Sequence, residues 1–305
     1  MKLAVTAETT IDLTPALLKE FDIRTIPLGI TLEGKDMKDG EMTTDEMFEY
    51  VAKTGVLPKT NAVNEFEYGE LFTSLLKEYD GVVHISISSE ISSCCANAKS
   101  AAEKLNNVFV VDSRSLSTGI AQLAIYARNL SQTDLSAKEI YEKVQARTAM
   151  LQVSFELERL DYLYKGGRCS SLQFFGANLL KLRPRIMVKD GKMGADKKYR
   201  GKIELVVRKY CRDTLNEYNT PDKSLVFITY TTATPEMLNE ATSACKEAGF
   251  ERIEYSRAGG TISSCQPFDE VLHTRAGCTV SSHCGPRTLG ILYFNDGPEK
   301  IEVSN

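Results

Sequence analysis

The chain has 305 residues, 42% hydrophobic and 26% charged, with no low-complexity tract or repeat, which excludes a disordered chain and a solenoid and leaves room for two ordinary domains. The start, Met1-Lys2-Leu3-Ala4-Val5-Thr6, lacks the apolar stretch of a signal peptide, and no later run approaches the roughly 20 apolar residues of a membrane span, so a soluble cytoplasmic protein is expected. The net charge of −4 is unevenly spread: Lys165–Arg212 holds fourteen Lys/Arg against three acids, a net +11 that leaves −15 elsewhere and predicts one cationic face for a negatively charged partner.

Short β-like runs alternate with helical patterns through the first half, the signature of a mainly parallel sheet covered by crossover helices. The strand candidates are Leu3–Thr6, Ile26–Thr31, Val82–Ser88 and Val108–Asp112. Helix starts are marked by Pro15 and by three capping boxes, Thr43 with Glu46, Asn64 with Glu67, and Ser136 with Glu139. Small hydroxyl residues gather at Thr9-Thr10, Thr43-Thr44, Ser88 through Ser93, and Ser113 through Thr118. In an open α/β sheet such strand-to-helix junctions line the ligand crevice, so a shared site is expected there.

After about Met150 the pattern changes. Leu151–Phe155, Leu225–Tyr230, Arg252–Tyr255, Val271–Thr274 and Gly290–Phe294 read as strands, with Asp190-Gly191 as a hairpin turn and helices near Ile203–Tyr218 and Thr234–Ala248. The expected fold is therefore α/β with two domains: residues 1–150 as an α/β/α unit, and 151–305 as an α/β unit with a mixed or antiparallel sheet.

Few residues carry an obvious chemistry. The eight cysteines contain no CxxC and are expected as free thiols, and three histidines with no zinc spacing argue against a metal enzyme. No G-x-S-x-G, G-x-x-x-x-G-K-[ST] or G-x-G-x-x-G occurs, which counts against a standard hydrolase, a P-loop enzyme and a classical dinucleotide dehydrogenase. The serine-rich turn Ser88–Ser93 before an alanine-rich helix reads locally as capping, with anion binding by Ser92 or Ser93 as the alternative. His283, in the polar turn Ser282-His283-Cys284-Gly285-Pro286, is placed either to donate to an anion or to be a satisfied loop residue. His84 and His273 lie in apolar strand patterns and read as hydrogen-bonded core residues.

Eight segments in order along the chain resemble the DegV family of bacterial fatty-acid-binding proteins. They are Val5-Thr6-Ala7-Glu8-Thr9-Thr10-Ile11-Asp12-Leu13, Ile26-Pro27-Leu28, Asp39-Gly40, Leu57-Pro58-Lys59-Thr60, Ile87-Ser88-Ser89-Glu90-Ile91-Ser92, Val111-Asp112-Ser113-Arg114-Ser115, Lys165-Gly166-Gly167-Arg168 and His283-Cys284-Gly285-Pro286. The resemblance implies a non-catalytic lipid carrier with no cofactor beyond its ligand, a long-chain fatty acid in an apolar tunnel between two domains. By the same resemblance the carboxylate is held by Thr60 and Ser92, with Ser93 and His283 beside them. The acid is then presented to a separate, dihydroxyacetone-kinase-like fatty acid kinase for acyl phosphate formation in phospholipid synthesis. Arg168, Arg200 and Lys202 resemble the face that meets that kinase or a membrane surface. No nucleic-acid motif accompanies these charges.

The sequence also departs from the family pattern. Ala7-Glu8 replaces the usual Asp-Ser, Ser93 replaces a glycine, and Glu90 replaces a small residue, so an acid near the ligand entrance is expected to reshape the pocket or make a carboxylate less welcome. Extra sequence around Ala258–Phe268 reads as a lid or a surface insertion. The competing reading is an acyl hydrolase or acyltransferase with Ser92 as nucleophile and His283 as its base, which requires the two side chains within about 3 Å.

Overall fold

The computed structural model describes residues 1–169, 183–257 and 278–297. The strand expected at Val271–Thr274, His273 and the extra segment at Ala258–Phe268 lie outside the described residues. No helix among the described residues is long and apolar enough to cross a membrane, and the described cysteines are free thiols.

The first half opens with β1 (Leu3–Glu8), α1 (Pro15–Glu20), β2 (Ile23–Ile26), β3 (Gly29–Leu32), β4 (Lys35–Lys38), α2 (Thr44–Thr54), β5 (Lys59–Asn61) and α3 (Glu65–Leu75). It continues with β6 (Gly81–Ser86), α4 (Cys94–Ala102), β7 (Val108–Asp112), α5 (Thr118–Leu130) and α6 (Ala137–Arg147). Strands β2, β1, β6 and β7 form a parallel sheet in that order. All three expected capping boxes form with both reciprocal hydrogen bonds, and Thr14 caps α1 ahead of Pro15. The expected single strand over Ile26–Thr31 is instead two. Pro27 has no N–H for a ladder, so the chain leaves the parallel sheet there and β3 enters a separate three-stranded antiparallel sheet with β4 and β5.

The second half holds β8 (Leu151–Glu156), α7 (Asp161–Gly166), β9 (Arg183–Lys189), β10 (Lys192–Tyr199), α8 (Ile203–Glu217) and β11 (Val226–Tyr230). It ends with α9 (Pro235–Glu247), β12 (Ile253–Arg257), α10 (Cys278–Cys284) and β13 (Leu289–Phe294). Its sheet is mixed, in the order β10-β9-β8-β13-β11-β12, with only the β11–β12 pair parallel among the described strands. Asp190 and Gly191 both have positive φ, 51° and 81°, the conformation that a two-residue turn between twisted strands requires.

Helix α5 joins the two halves. Eleven of its thirteen residues are buried, because one side packs on β1 and β6 and the other on β8 and β13. A helix apolar on all sides has to be enclosed in this way. Gly119 permits the close approach, since a Cβ there would lie 2.1 Å from Ser115 Oγ and 3.0 Å from Val153 Cγ2. Gln122 Nε2 donates to the carbonyls of Leu225 and Leu292, so this buried polar side chain is satisfied by the second half of the chain. The resulting apolar cluster is continuous from Val5 and Leu123 to Phe155, Ile186 and Leu292.

At the end of β1 stands Glu8, fully buried. Its Oε1 accepts from Tyr68 Oη at 2.6 Å and Ser86 Oγ at 2.7 Å and lies 3.0 Å from His84 Nε2, while Oε2 accepts from the Ile87 amide at 2.9 Å. His84 is thus the hydrogen-bonded core histidine that the sequence suggests, with Thr6 Oγ1 on its other nitrogen at 2.8 Å. Burial by itself raises a carboxyl pKa; the charge and hydrogen bond of His84, with Tyr68 and Ser86, outweigh it and hold Glu8 below its ordinary value. A carboxamide in the same place would turn an N–H toward donors. Glu8→Gln is therefore expected to destabilise the fold by about 3 kcal/mol in urea denaturation at neutral pH. Because the folded-state pKa is depressed, this difference is present above the ordinary carboxyl pKa of 4.5 and shrinks as the pH falls through the lower folded value.

Candidate functional site

The serine loop that follows β6 is held at three points. Glu8 takes the amide of Ile87; the Asp112 carboxylate accepts from the Ser89 amide at 3.1 Å and Ser89 Oγ at 2.6 Å; and the Ser88 carbonyl accepts from the amides of Ile91 and Ser92. Ser92 is thereby fixed at the entry to α4. Its Oγ accepts from the Cys94 amide at 3.2 Å, so it performs local capping and still has its hydroxyl hydrogen to donate, whereas Ser93 makes no side-chain cap and is exposed. Both the capping and the binding readings of this segment are compatible with that geometry.

Thr60 arrives from β5, paired with Ile30 across the small antiparallel sheet. His283 arrives from α10. The turn expected there is the helix's C-terminal end: Gly285, at φ 77°, donates to the Ser281 carbonyl at 2.9 Å and Pro286 follows, a left-handed glycine closing a short helix. His283 Nε2 lies 3.1 Å from Thr60 Oγ1. The Gly-Gly-Arg segment has a distinct use for each residue. A Cβ on Gly166 would fall 2.3 Å from His283 Nδ1, Gly167 caps α7 at φ 70°, and Arg168 stands exposed at the mouth of the site.

These elements enclose a cleft of about 790 Å³, within the roughly 300–1,000 Å³ of small-molecule sites. Thr60, Ser92, Ser93, His283 and Arg168 all line it, and Leu28, Ile87, Leu116, Leu163, Met193 and Val280 supply its apolar wall. Behind Leu116, Val280 and Cys284 lies a second void of about 30 Å³, walled by Phe155 of β8 and Leu292 of β13. Arg200 and Lys202 are exposed on the β10–α8 connection and do not line the cleft.

The two glutamates that depart from the family pattern occupy different environments. Glu90 is on the cleft wall, 3.5 Å from Arg114 and 3.3 Å from Lys192. Glu8 is not at the entrance: it joins the His84–Tyr68 cluster on the same face of β1 as Thr6 and does not line the cleft, whereas Thr10, in the turn after β1, does. Sequence reasoning also missed how the β9–β10 turn closes the rim. Ser88 Oγ donates to the Gly191 carbonyl at 2.8 Å and Arg114 donates to the Asp190 carbonyl, contacts across 76 or more residues that no local pattern announces.

His283 is half-buried as a residue, but its Nδ1 is buried and makes no hydrogen bond among the described residues. Desolvation, followed by the nearby Arg168 charge, lowers its pKa to about 4. The ring is therefore neutral at pH 7. No hydrogen bond joins Ser92 to His283 among the described residues, and nothing orients Nδ1 as a third member of a catalytic relay. No group of three or more His, Cys, Asp or Glu side chains suited to a metal ion occurs among the described residues.

An α/β fold with a partly apolar cleft carrying hydroxyls and a neutral imidazole defines a class of small-molecule binding protein. The comparisons narrow that class: the model described as "Uncharacterised protein, DegV family" matches residues 2–296, and the chain belongs to the DegV family. A DegV domain-containing protein of Caldanaerobacter subterraneus subsp. tengcongensis is 27% identical over 296 residues, covering 96% of this chain and 98% of that one. A Thermotoga maritima protein named "Fatty acid-binding protein" is 26% identical over 300 residues, covering 95% and 96%. A solved DegV-family structure from Thermus thermophilus, described by its fatty acid binding, shares the fold at a TM-score of 0.82 and 24% identity, covering 96% of this chain and 99% of that one.

The lowered histidine gives a test. Between pH 6.5 and 4 the unfolded chain takes up a proton at His283 that the folded protein does not, so folded stability falls as pH falls through that window. His283→Gln lacks this term. The stability margin of wild type over the variant, measured by urea denaturation, is expected to narrow from pH 7 to pH 4; a margin independent of pH contradicts a buried neutral imidazole.

Proposed function

We propose that this protein is a lipid-binding carrier that holds one long-chain fatty acid in the cleft, with its carboxylate at Thr60 and Ser92, and presents it to a separate fatty acid kinase. The observation that carries the reading is the convergence of Thr60, Ser92 and His283 on one cleft that Leu28, Ile87, Leu116, Leu163, Met193 and Val280 also line. With the proton on Nε2, His283 donates to Thr60 Oγ1 and leaves the threonine hydrogen free for a carboxylate oxygen. Ser92 Oγ accepts from the Cys94 amide and keeps its hydrogen to give. Two hydroxyl donors meet the need of an acid removed from water, whose burial without partners is costly.

The acyl chain would provide most of the affinity, at about 0.8 kcal/mol for each CH₂ taken from water. The carboxylate fixes direction, with the chain running along Leu28 and Leu116 toward Val280. Exposed Arg168 at the mouth, and exposed Arg200 and Lys202 on the β10–α8 connection, supply positive charge for an acidic partner or an anionic membrane surface. The fatty acid binding stated of the Thermotoga and Thermus proteins supports the ligand class.

Native mass spectrometry of protein purified from bacterial cells is expected to show added masses of fatty acids. Thr60→Val with Ser92→Ala removes both donors and is expected to weaken oleate binding by roughly 100-fold or more, about 3 kcal/mol for two hydrogen bonds to a charged group. Wild-type protein that purifies empty and fails to bind oleate or palmitate overturns the proposal.

A further inference from the structure

The β9–β10 hairpin runs past the part of the sheet that holds it. Among the described residues β8 pairs with β9 at Arg185, Ile186 and Met187, and β10 is the edge strand, so Val188 through Met193 project beyond that pairing. The projecting end rests on the first half of the chain and contributes Met193 to the wall of the cleft. Buried Ser88 Oγ donates to the Gly191 carbonyl at 2.8 Å, and Arg114 donates to the Asp190 carbonyl. The fit is close. A Cβ on Gly191 would fall 2.6 Å from Ser88 Oγ and 3.0 Å from Arg114 Nε, so the tip needs glycine for this approach as well as for its φ of 81°.

Glu90 adds a charged contact at the same place. Its Oε1 lies 3.5 Å from Arg114 Nη1 and its Oε2 3.3 Å from Lys192 Nζ, so one carboxylate spans the β7–α5 loop and the hairpin tip. The small residue of the family pattern could not reach either cation. Arg114 is also 3.6 Å from Asp112 Oδ2, so two acids face two bases and the cluster has no surplus charge to offer a ligand. Its groups are partly exposed, and an ion pair of this kind changes an equilibrium by no more than about fivefold. That is minor for a fold built around α5. It is enough to alter how often a projecting hairpin opens locally. The serine loop across the cleft is pinned from below by Glu8 and Asp112, which leaves the hairpin tip as the more easily lifted of the two walls.

We infer that the projecting end of the β9–β10 hairpin is a latch over the cleft and that Glu90 is its catch. A ligand enters and leaves when residues 188–193 lift from Ser88, and the contacts of Glu90 with Lys192 and Arg114 set how often they do. The inference rests on the carrier reading and deepens it by naming the element that controls ligand exchange.

The test uses cis-parinaric acid, a fluorescent fatty acid, bound to the full-length protein and released into excess phosphatidylcholine vesicles, followed by stopped-flow fluorescence. At low salt Glu90→Gln and Lys192→Gln are each expected to speed release roughly two- to fivefold. The double variant is expected to be no faster than Glu90→Gln, because both substitutions undo one catch. Salt at about 0.5 M is expected to speed the wild type toward the variants and to leave the double variant unchanged. Hydrogen exchange of the empty protein gives a second readout: the amides of residues 188–193 are expected to exchange faster in Glu90→Gln, while those of β1 and β6 stay protected and show the fold intact. Wild-type release rates in both single variants, or a double variant in which the two effects multiply, overturn the inference, as does unaltered exchange at the hairpin tip. Failure of wild-type protein to bind cis-parinaric acid would instead refute the carrier reading, and the exchange measurement would still decide whether Glu90 holds the tip.

Discussion

The structure depends on the enclosure of α5. With eleven of its thirteen residues buried and only Arg128 and Asn129 of its last turn reaching the surface, the helix holds the parallel sheet on one flank and the mixed sheet on the other. Burying each large aliphatic side chain contributes about 1.5–3 kcal/mol. That contact is what brings the loops after β1 and β6 opposite α7, α10 and the β9–β10 turn. The cleft is the space left at the N-terminal end of α5, where Leu116 stands between the main cavity and the small void beyond it.

Within that frame lie the groups to which the proposed carrier function assigns the acid. Glu8 and Asp112 hold the serine loop from behind through buried or partly buried hydrogen bonds. Gly166 leaves space for His283, and burial with the Arg168 charge keeps its imidazole neutral, a hydrogen-bonding group in place of a fixed cation. For the proposed fatty acid, hydroxyls and a neutral ring would suit reversible capture, whereas a buried ion pair would add a larger desolvation cost.

Much of this was legible in the sequence. The three capping boxes, the Asp190-Gly191 turn, most strand positions and the change to a mixed sheet after residue 150 are set by local chemistry, so local patterns reveal them. Resemblance in short segments singled out Thr60, Ser92, Ser93, His283 and Arg168, which the fold brings to one cleft. What stayed hidden is non-local. The break of Ile26–Thr31 at Pro27 is evident only once β3 is seen to pair with β4 and β5. The position of Glu8 depends on which face of β1 it takes.

The most direct test of the central claim is a crystal structure of the protein with oleate. The carboxylate oxygens are expected within about 3.2 Å of Thr60 Oγ1 and Ser92 Oγ, with the chain enclosed along Leu28, Leu116 and Val280. Oleate density outside the cleft, or a chain reversed so that the carboxylate meets bulk solvent away from Thr60 and Ser92, would contradict it.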